Sequence, residues 1–309
     1  MKPILKPRAL GALLSAVLLL CAGATADSMH PQLPSDVAIN KEAGCGGFLV
    51  VTLRLDGGEE LPFVVDTGSP VTLFDKSLAP KLGKRLIDMS TWNFGAVQES
   101  GVYRAPKLWL GSTPLMTDSY ISTYNFKRLS SRCGHRIMGI LGMDCMRHYC
   151  IQLDFVAGKM RFLDSDKLND AELGKAFPLT FSTEGQNPPP MFADAGQNPI
   201  RPLIQHTGLF GGTSTNSTID TGDNIDGSID EGTIKGHYLT RLIHFFIRFR
   251  AMRLPECVWN GETYTQLRVG QDKHDNRLGL RFLARHLVTF DFPNRVIYLK
   301  KTSIDPLVH

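Results

Sequence analysis

The sequence predicts a mostly β chain built as two related lobes, and three observations carry that expectation. The tripeptide Asp66-Thr67-Gly68 recurs as Asp220-Thr221-Gly222, each time after a strand-like run. A second pair of segments recurs in the same order. Ile140-Leu141-Gly142-Met143 leads to Tyr149-Cys150-Ile151-Gln152-Leu153-Asp154-Phe155, and Leu278-Gly279-Leu280 leads to His286-Leu287-Val288-Thr289-Phe290-Asp291-Phe292. Each copy closes with a turn around Ala157-Gly158 or Pro293-Asn294 and a further strand, Lys159-Met160-Arg161-Phe162-Leu163 or Arg295-Val296-Ile297-Tyr298-Leu299. A given tripeptide arises by chance about once in several thousand positions. One copy is therefore weak, but two copies with the same sequel mark a tandem duplication.

Taken in order, residues 48–55 are rich in Val, Leu and Phe and end at the turn signal Asp56-Gly57-Gly58. Leu61-Pro62-Phe63-Val64-Val65 is the strand that delivers the first tripeptide. A short helix is expected over 77–82, a hairpin over 92–103 around Gly95 and Gly101, and a strand at Leu108-Trp109-Leu110-Gly111. A second short helix is expected over 143–148. Residues 164–175 read as the linker between the halves, and the Pro/Gly/Asn-rich stretch 182–202 as a loop. Asn216-Ser217-Thr218-Ile219 is the strand before the second tripeptide. A longer amphipathic helix is expected over 238–252, with Arg241, Arg248 and Arg250 on it, stopped by Pro255. The expected domains are a leader over 1–26, a first lobe over 27–171 and a second over 172–309.

Composition bounds the rest. Of 309 residues 42% are apolar and 21% charged, which fits a globular chain and excludes a disordered or collagenous one. Lys2, Lys6 and Arg8 precede an apolar run over 9–22, and Ala24-Thr25-Ala26 is a small-x-small cleavage site. The run is shorter than the roughly 20 residues a membrane span needs. With the three leader cations removed, the net charge of +4 falls to +1, which gives nucleic acid nothing to bind on charge grounds. The mature chain keeps Cys45, Cys133, Cys145, Cys150 and Cys257, an odd set in which Cys145 and Cys150 either pair or serve as small buried hydrophobes. No Cys/His spacing suits zinc.

An Asp-Thr-Gly at a strand end has a chemical use. The Asp faces outward, the Thr can bond backbone across a two-fold partner, and the Gly allows close approach. Two copies on two similar halves bring two carboxylates to one seam. Such a pair cannot ionise fully and shares a proton. The ionised member takes a proton from water and the protonated member donates to a carbonyl oxygen, which hydrolyses a peptide bond without a covalent intermediate. The aspartates Asp220, Asp223, Asp226 and Asp230 also suggest calcium, but without EF-hand spacing or its terminal Glu.

On Phe63-Val64-Val65-Asp66-Thr67-Gly68-Ser69, Gly139-Ile140-Leu141-Gly142-Met143-Asp144, Leu153-Asp154-Phe155, Ile219-Asp220-Thr221-Gly222 and Thr289-Phe290-Asp291-Phe292-Pro293, the chain resembles the pepsin/retropepsin-type aspartic proteases. Within them it is similar to the bacterial exported aspartyl-protease-like family with two retropepsin-like lobes. The resemblance spans about 45–165 and 172–309. It implies a bilobal pepsin-like fold with short helices, and an exported aspartic endopeptidase needing neither metal nor cofactor. A peptide or protein substrate would lie in the inter-lobe cleft of a monomer with no nucleic-acid partner and no stable membrane span.

Asp66 and Asp220 would be the catalytic dyad, supported by Thr67, Gly68, Ser69, Thr221, Gly222 and Asp223. Thr67 and Thr221 would interlock beneath the pair, and Trp92 and Tyr103 are candidates for a substrate-covering flap. Ser69 is expected to donate to Asp66 and hold it ionised, leaving Asp220 the protonated partner. Asp223 stands where Ser or Thr is usual. It either adds a third carboxylate that raises the pair's pKa, or turns to solvent and caps the next turn. Arg277 replaces an apolar residue of the hydrophobic-hydrophobic-Gly step, and residues 225–232 are polar. These departures support the alternative, a weak or inactive peptide-binding protein on the same fold.

The leader carries one expectation of its own. N-terminal sequencing of the mature protein should begin near Asp27; a retained Met1, or lipid on Cys21, overturns the export signal.

Overall fold

The structure is a computed structural model that describes residues 33–56, 58–93, 96–183, 189–197, 200–208, 214–230, 252–272 and 275–302. The expected leader and most of the 238–252 helix lie outside these residues.

Alternation of apolar and polar residues makes the first half a sheet of nine strands. In spatial order they are Ile87–Asn93, Ala96–Arg104, Tyr120–Tyr124, Leu73–Asp75, Gly139–Leu141, Glu60–Val65, Val50–Leu55, Leu108–Leu110 and Thr113–Pro114. Its inward side chains include Leu53, Leu61, Phe63, Phe74 and Ile121, all essentially inaccessible to solvent. One crossing places the functional loop. Gly139–Leu141 slots between two earlier strands, parallel to Glu60–Val65 with Val65 opposite Leu141, and antiparallel to Leu73–Asp75.

The second half repeats this device. Arg277–Gly279 lies between Ser214–Asp220, in parallel with Ile219 opposite Leu278, and Gly227–Asp230, antiparallel. The equivalence extends to the backbone. Met143 N–H donates to Ser69 O at 2.9 Å, and Leu280 N–H donates to Asp223 O at 2.7 Å. Short helices, Met143–Met146 and Leu280–Leu283, follow each crossing. The duplication seen in the sequence is thus a duplication of strand topology.

The halves are sewn together by the closing hairpins. Cys150–Asp154 pairs with Lys159–Leu163, and His286–Asp291 with Val296–Lys301; the two hairpins pair with each other along Cys150–Asp154 and His286–Asp291. Gln152 donates to Thr289 Oγ1 across that join at 3.0 Å. Val37–Ala38 and Lys175–Ser182 flank the four strands, and the sheet runs on through Arg201–Thr207 into the second half, twelve strands in all.

Two expectations change, and a third gains detail. The stretch 182–202 is not simply a loop: it contains the helix Pro190–Asp194, and Pro202 pairs with Phe181 within Arg201–Thr207. Phe192 is buried against Tyr120, and the Gln197 amide accepts from Tyr120 N–H and donates to Tyr120 O, so the segment is anchored to the first half. The linker over 164–175 holds a 3₁₀ turn, Ser165–Lys167, and a helix, Asp170–Leu173. Pro255 does not stop a helix; it sits in Met252–Trp259, the edge strand of the large sheet, where a missing N–H is tolerated. No disulfide joins the described cysteines; Cys145 and Cys150 are both buried, Cys145 within the main apolar cluster.

Candidate active site at the seam of the two halves

Each Asp-Thr-Gly lies at the end of a strand whose end is fixed by the crossing, Asp66 just past Glu60–Val65 and Asp220 the last residue of Ser214–Asp220. Asp66 N–H donates to Leu141 O at 3.0 Å, which locks the first loop onto the inserted strand. The two loops then meet through their threonines. Thr67 N–H donates to Thr221 Oγ1 and Thr221 N–H donates to Thr67 Oγ1, both at 3.0 Å. Thr67 Oγ1 also donates to Ile219 O at 2.6 Å, and Thr221 Oγ1 to Val65 O at 2.8 Å. Threonine suits the place because one hydroxyl both accepts and donates. Both residues are buried, so each bond satisfies a backbone group that water cannot reach.

Above this interlock the carboxyls of Asp66 and Asp220 are in hydrogen-bond contact, each residue 8% exposed. Gly68 and Gly222 are required by that approach. A Cβ on Gly68 would stand 2.6 Å from Asp220 Cγ, and one on Gly222 2.3 Å from Asp66 Cγ. Gly68 and Ser69 N–H groups donate to Asp66 Oδ1 at 2.8 and 3.1 Å, and Gly222 N–H to Asp220 Oδ1 at 2.9 Å. Burial, then the Asp220 charge and the contact with its carboxyl, hold the Asp66 pKa well above the usual carboxylate range; the two N–H donors oppose this without reversing it.

That finding corrects one expectation. The Ser69 hydroxyl donates to Val71 O at 2.8 Å and not to Asp66, so only its backbone N–H favours the charged form. Burial and the contact with Asp220 push Asp66 toward its protonated form, so the hydroxyl bond expected to hold it ionised is absent. Asp223 takes the capping role of the second reading without turning fully to solvent. Its carboxylate accepts from Ile225 N–H at 3.3 Å, capping the turn, and it also feels the dyad. Burial and the Asp220 charge push its pKa up to about 7, against the pull of Arg277 and the Ile225 N–H.

The supporting shells of the two loops differ in kind. By strand register Ser69, Thr72, Ile140 and Asp144 of the first half correspond to Asp223, Asp226, Arg277 and Arg281 of the second. In the first half the polar link is neutral-to-acid: Thr72 Oγ1 donates to Asp144 Oδ1 at 2.7 Å and accepts from Gly142 N–H at 3.1 Å. Burial lifts Asp144 to about pKa 6. In the second half the same place is ionic. Asp226 is buried between Arg281 and Arg285, each 3.2 Å away, and accepts Arg268 N–H at 2.7 Å. Arg277, noted in the sequence only as a departure, has its Nε 3.8 Å from Asp220 Oδ2 and an outer nitrogen 2.7 Å from Asp272. Its signal was present: a charge where the threading step calls for an apolar residue.

The remaining sequence candidates are placed as follows. Tyr103 is 5% exposed and packs in the hydrophobic core at the base of the hairpin Ile87–Asn93/Ala96–Arg104, opposite Ile121, so it is a core residue and not a flap tip. Trp92 lies in the outer strand of the hairpin, with its backbone opposite Val97. The four aspartates read as a calcium cluster do not converge: Asp220 faces the dyad and Asp226 faces arginines. Among the described residues no group of three or more His, Cys, Asp or Glu is placed to hold a metal.

No family model matches the chain, and no curated protein matches it in sequence. Solved structures match it in fold. The aspartic proteinase from Irpex lacteus superposes with a TM-score of 0.53 at 15% identity, covering 88% of this chain and 98% of that one. Basic 7S globulin from soybean superposes with a TM-score of 0.56 at 10% identity, covering 90% and 98%. The fold is therefore the bilobal, mostly β fold of pepsin-like aspartic proteinases. Because a globulin shares it, the fold does not by itself carry an activity.

Asp223 gives a pH-dependent expectation. Below its ordinary value of 3.8 the carboxyl is protonated in both the folded and unfolded chain and has no effect. As pH rises toward about 7 the unfolded chain ionises it while the folded chain does not, so stability is lost across that window and stays lost above it. Asp223→Asn should therefore stabilise the protein by on the order of a few kcal/mol near pH 8 and by nothing near pH 3. Urea unfolding at the two pH values measures this; an equal effect at both removes the electrostatic cause.

Proposed function

We propose that the chain is an aspartic endopeptidase that hydrolyses peptide bonds with a water activated between Asp66 and Asp220. The observation that carries this reading is the hydrogen-bond contact of two buried carboxyls at crossed Asp-Thr-Gly loops. A structural role has no use for that arrangement, since two acids pressed together repel unless they share a proton. The arrangement supports hydrolysis as follows. The ionised carboxyl takes a proton from a bridging water, and the water oxygen attacks the peptide carbonyl carbon. The protonated carboxyl donates to the carbonyl oxygen, giving a tetrahedral diol. Breakdown returns a proton to the amide nitrogen as the C–N bond breaks. The substrate would be a peptide or unfolded protein segment lying across the seam, and the leader over 1–26 supports an exported enzyme of the bacterial family that the sequence resembles.

The charged shell around Asp220 favours a second reading, a protein that holds peptides without cutting them. One experiment separates the two. Wild type, Asp66→Asn and Asp220→Asn are assayed on unfolded protein substrates. Because the carboxyls act as a unit, either substitution alone should lower kcat by at least about 10³-fold. A peptide mimic with a central hydroxyl should inhibit the wild type. Full activity in either variant ends the dyad mechanism, and peptide binding without cleavage by the wild type supports the second reading.

A further inference from the structure

The crossing that places the first carboxyl is lined by Ile140, buried in an apolar cluster with Phe48, Val64, Leu73 and Phe126. The matching residue of the second half is Arg277. Its guanidinium lies between two acids: Nε is 3.8 Å from Asp220 Oδ2, and the outer nitrogen bonds Asp272 at 2.7 Å. The side chain is three-quarters buried and rises from the strand paired directly to Ser214–Asp220. A cation thus stands on one side of a nominally symmetric pair, with a greasy isoleucine on the other.

We propose that Arg277 is a positioning residue that breaks the symmetry of the dyad, keeping Asp220 as the ionised base and leaving the shared proton on Asp66 as the acid; the names base and acid rest on the hydrolytic reading above, the proton placement does not. The reasoning is electrostatic. A pair sharing one proton has two near-equal placements of it, and a cation beside one member favours the placement that leaves that member charged. The raised pKa of Asp66 agrees in direction. The same cation stabilises the monoanion over the fully protonated pair, so it holds the first ionisation of the dyad down. It does so against the other charges facing the site among the described residues: Asp223 on the second loop, Asp272 at the outer end of Arg277, and Asp275, which is itself paired with Arg201 at 2.7 Å. Asp272 has a defined part. It anchors the guanidinium and neutralises part of its charge, setting how strongly Arg277 acts on Asp220.

The geometry makes predictions of opposite sign for the two partners. Removing the cation with Arg277→Gln should raise the first ionisation of the dyad by about one pH unit. Removing the counter-charge with Asp272→Asn should lower it, because more of the guanidinium charge then reaches Asp220. Arg277→Lys, which keeps the charge, should titrate closer to wild type than Arg277→Gln does.

The experiment follows the side-chain carboxyl carbons of Asp66 and Asp220 by NMR in the full chain labelled with ¹³C, across pH, with circular dichroism to confirm that each variant folds. In the wild type the Asp220 resonance should move to its ionised position at lower pH than that of Asp66. Asp66 ionising first overturns the proposal, as does a dyad titration unchanged by both Arg277→Gln and Asp272→Asn. Should Arg277→Gln fail to fold, the wild-type order and the downward shift in Asp272→Asn still decide the matter. None of these readings requires turnover, so an inactive wild type would refute the hydrolytic function and leave the proton placement separately tested. If the protein does cut peptides, the acid limb of its pH–rate profile should shift in the same directions as the carboxyl titrations; a role in folding alone would change the rate without moving that limb.

Discussion

Two threonine hydroxyls, each accepting one backbone N–H and donating to one backbone carbonyl across the seam, are the contact on which the site depends. Without them nothing forces two acidic loops together. Ionised carboxylates about 4 Å apart repel by roughly 4 kcal/mol at an effective dielectric of 20. The four crossed bonds of Thr67 and Thr221 contribute about 0.5–1.5 kcal/mol each, a sum of the same order. The two quantities are comparable, and one proton shared between the carboxyls removes the repulsion that the interlock would otherwise have to offset. The proton chemistry is therefore a consequence of the packing. The strand crossings serve the same end, because Gly139–Leu141 and Arg277–Gly279 fix where each Asp-bearing strand stops.

The second half departs from the first toward charge: three neutral residues are replaced by ionisable ones and one acid by a base. Ser69 becomes Asp223, Thr72 becomes Asp226, Ile140 becomes Arg277 and Asp144 becomes Arg281. Buried charges are costly unless they are paired and hydrogen-bonded, and Asp226 meets that demand with two arginines and a backbone N–H. Its carboxyl still sits above the usual pKa range, burial outweighing these partners. Such a lattice gives up some stability relative to an apolar core of equal volume. What it supplies is an electrostatic difference between the two sides of the dyad, which strand topology alone, being duplicated, cannot provide.

Much of this was legible in the residues. The paired Asp-Thr-Gly motifs and their Leu-Gly sequels are short-range patterns tied to backbone geometry, and they fixed the duplicated crossing and the facing carboxyls. The proton preference was not legible, because it depends on where hydroxyls and guanidinium groups turn. Ser69 bonds Val71 O instead of Asp66, and Arg277 reaches Asp220 from a neighbouring strand far away in sequence. The segment 182–202 misled for a related reason: its Pro and Gly signals are those of a loop, and it is contact with Tyr120, distant in sequence, that anchors Phe192 and Gln197. Tyr103 carried no local mark separating a core aromatic from an exposed one; its position opposite Ile121 decides it.

The claim that the interlocked loops hold two carboxyls around one shared proton is tested most directly by neutron diffraction from deuterated crystals grown in the mildly acidic range. The expected map shows one deuteron in the contact between Asp66 and Asp220, nearer to Asp66. Two bare carboxylates, or carboxyls moved apart with a deuteron on each, would contradict it.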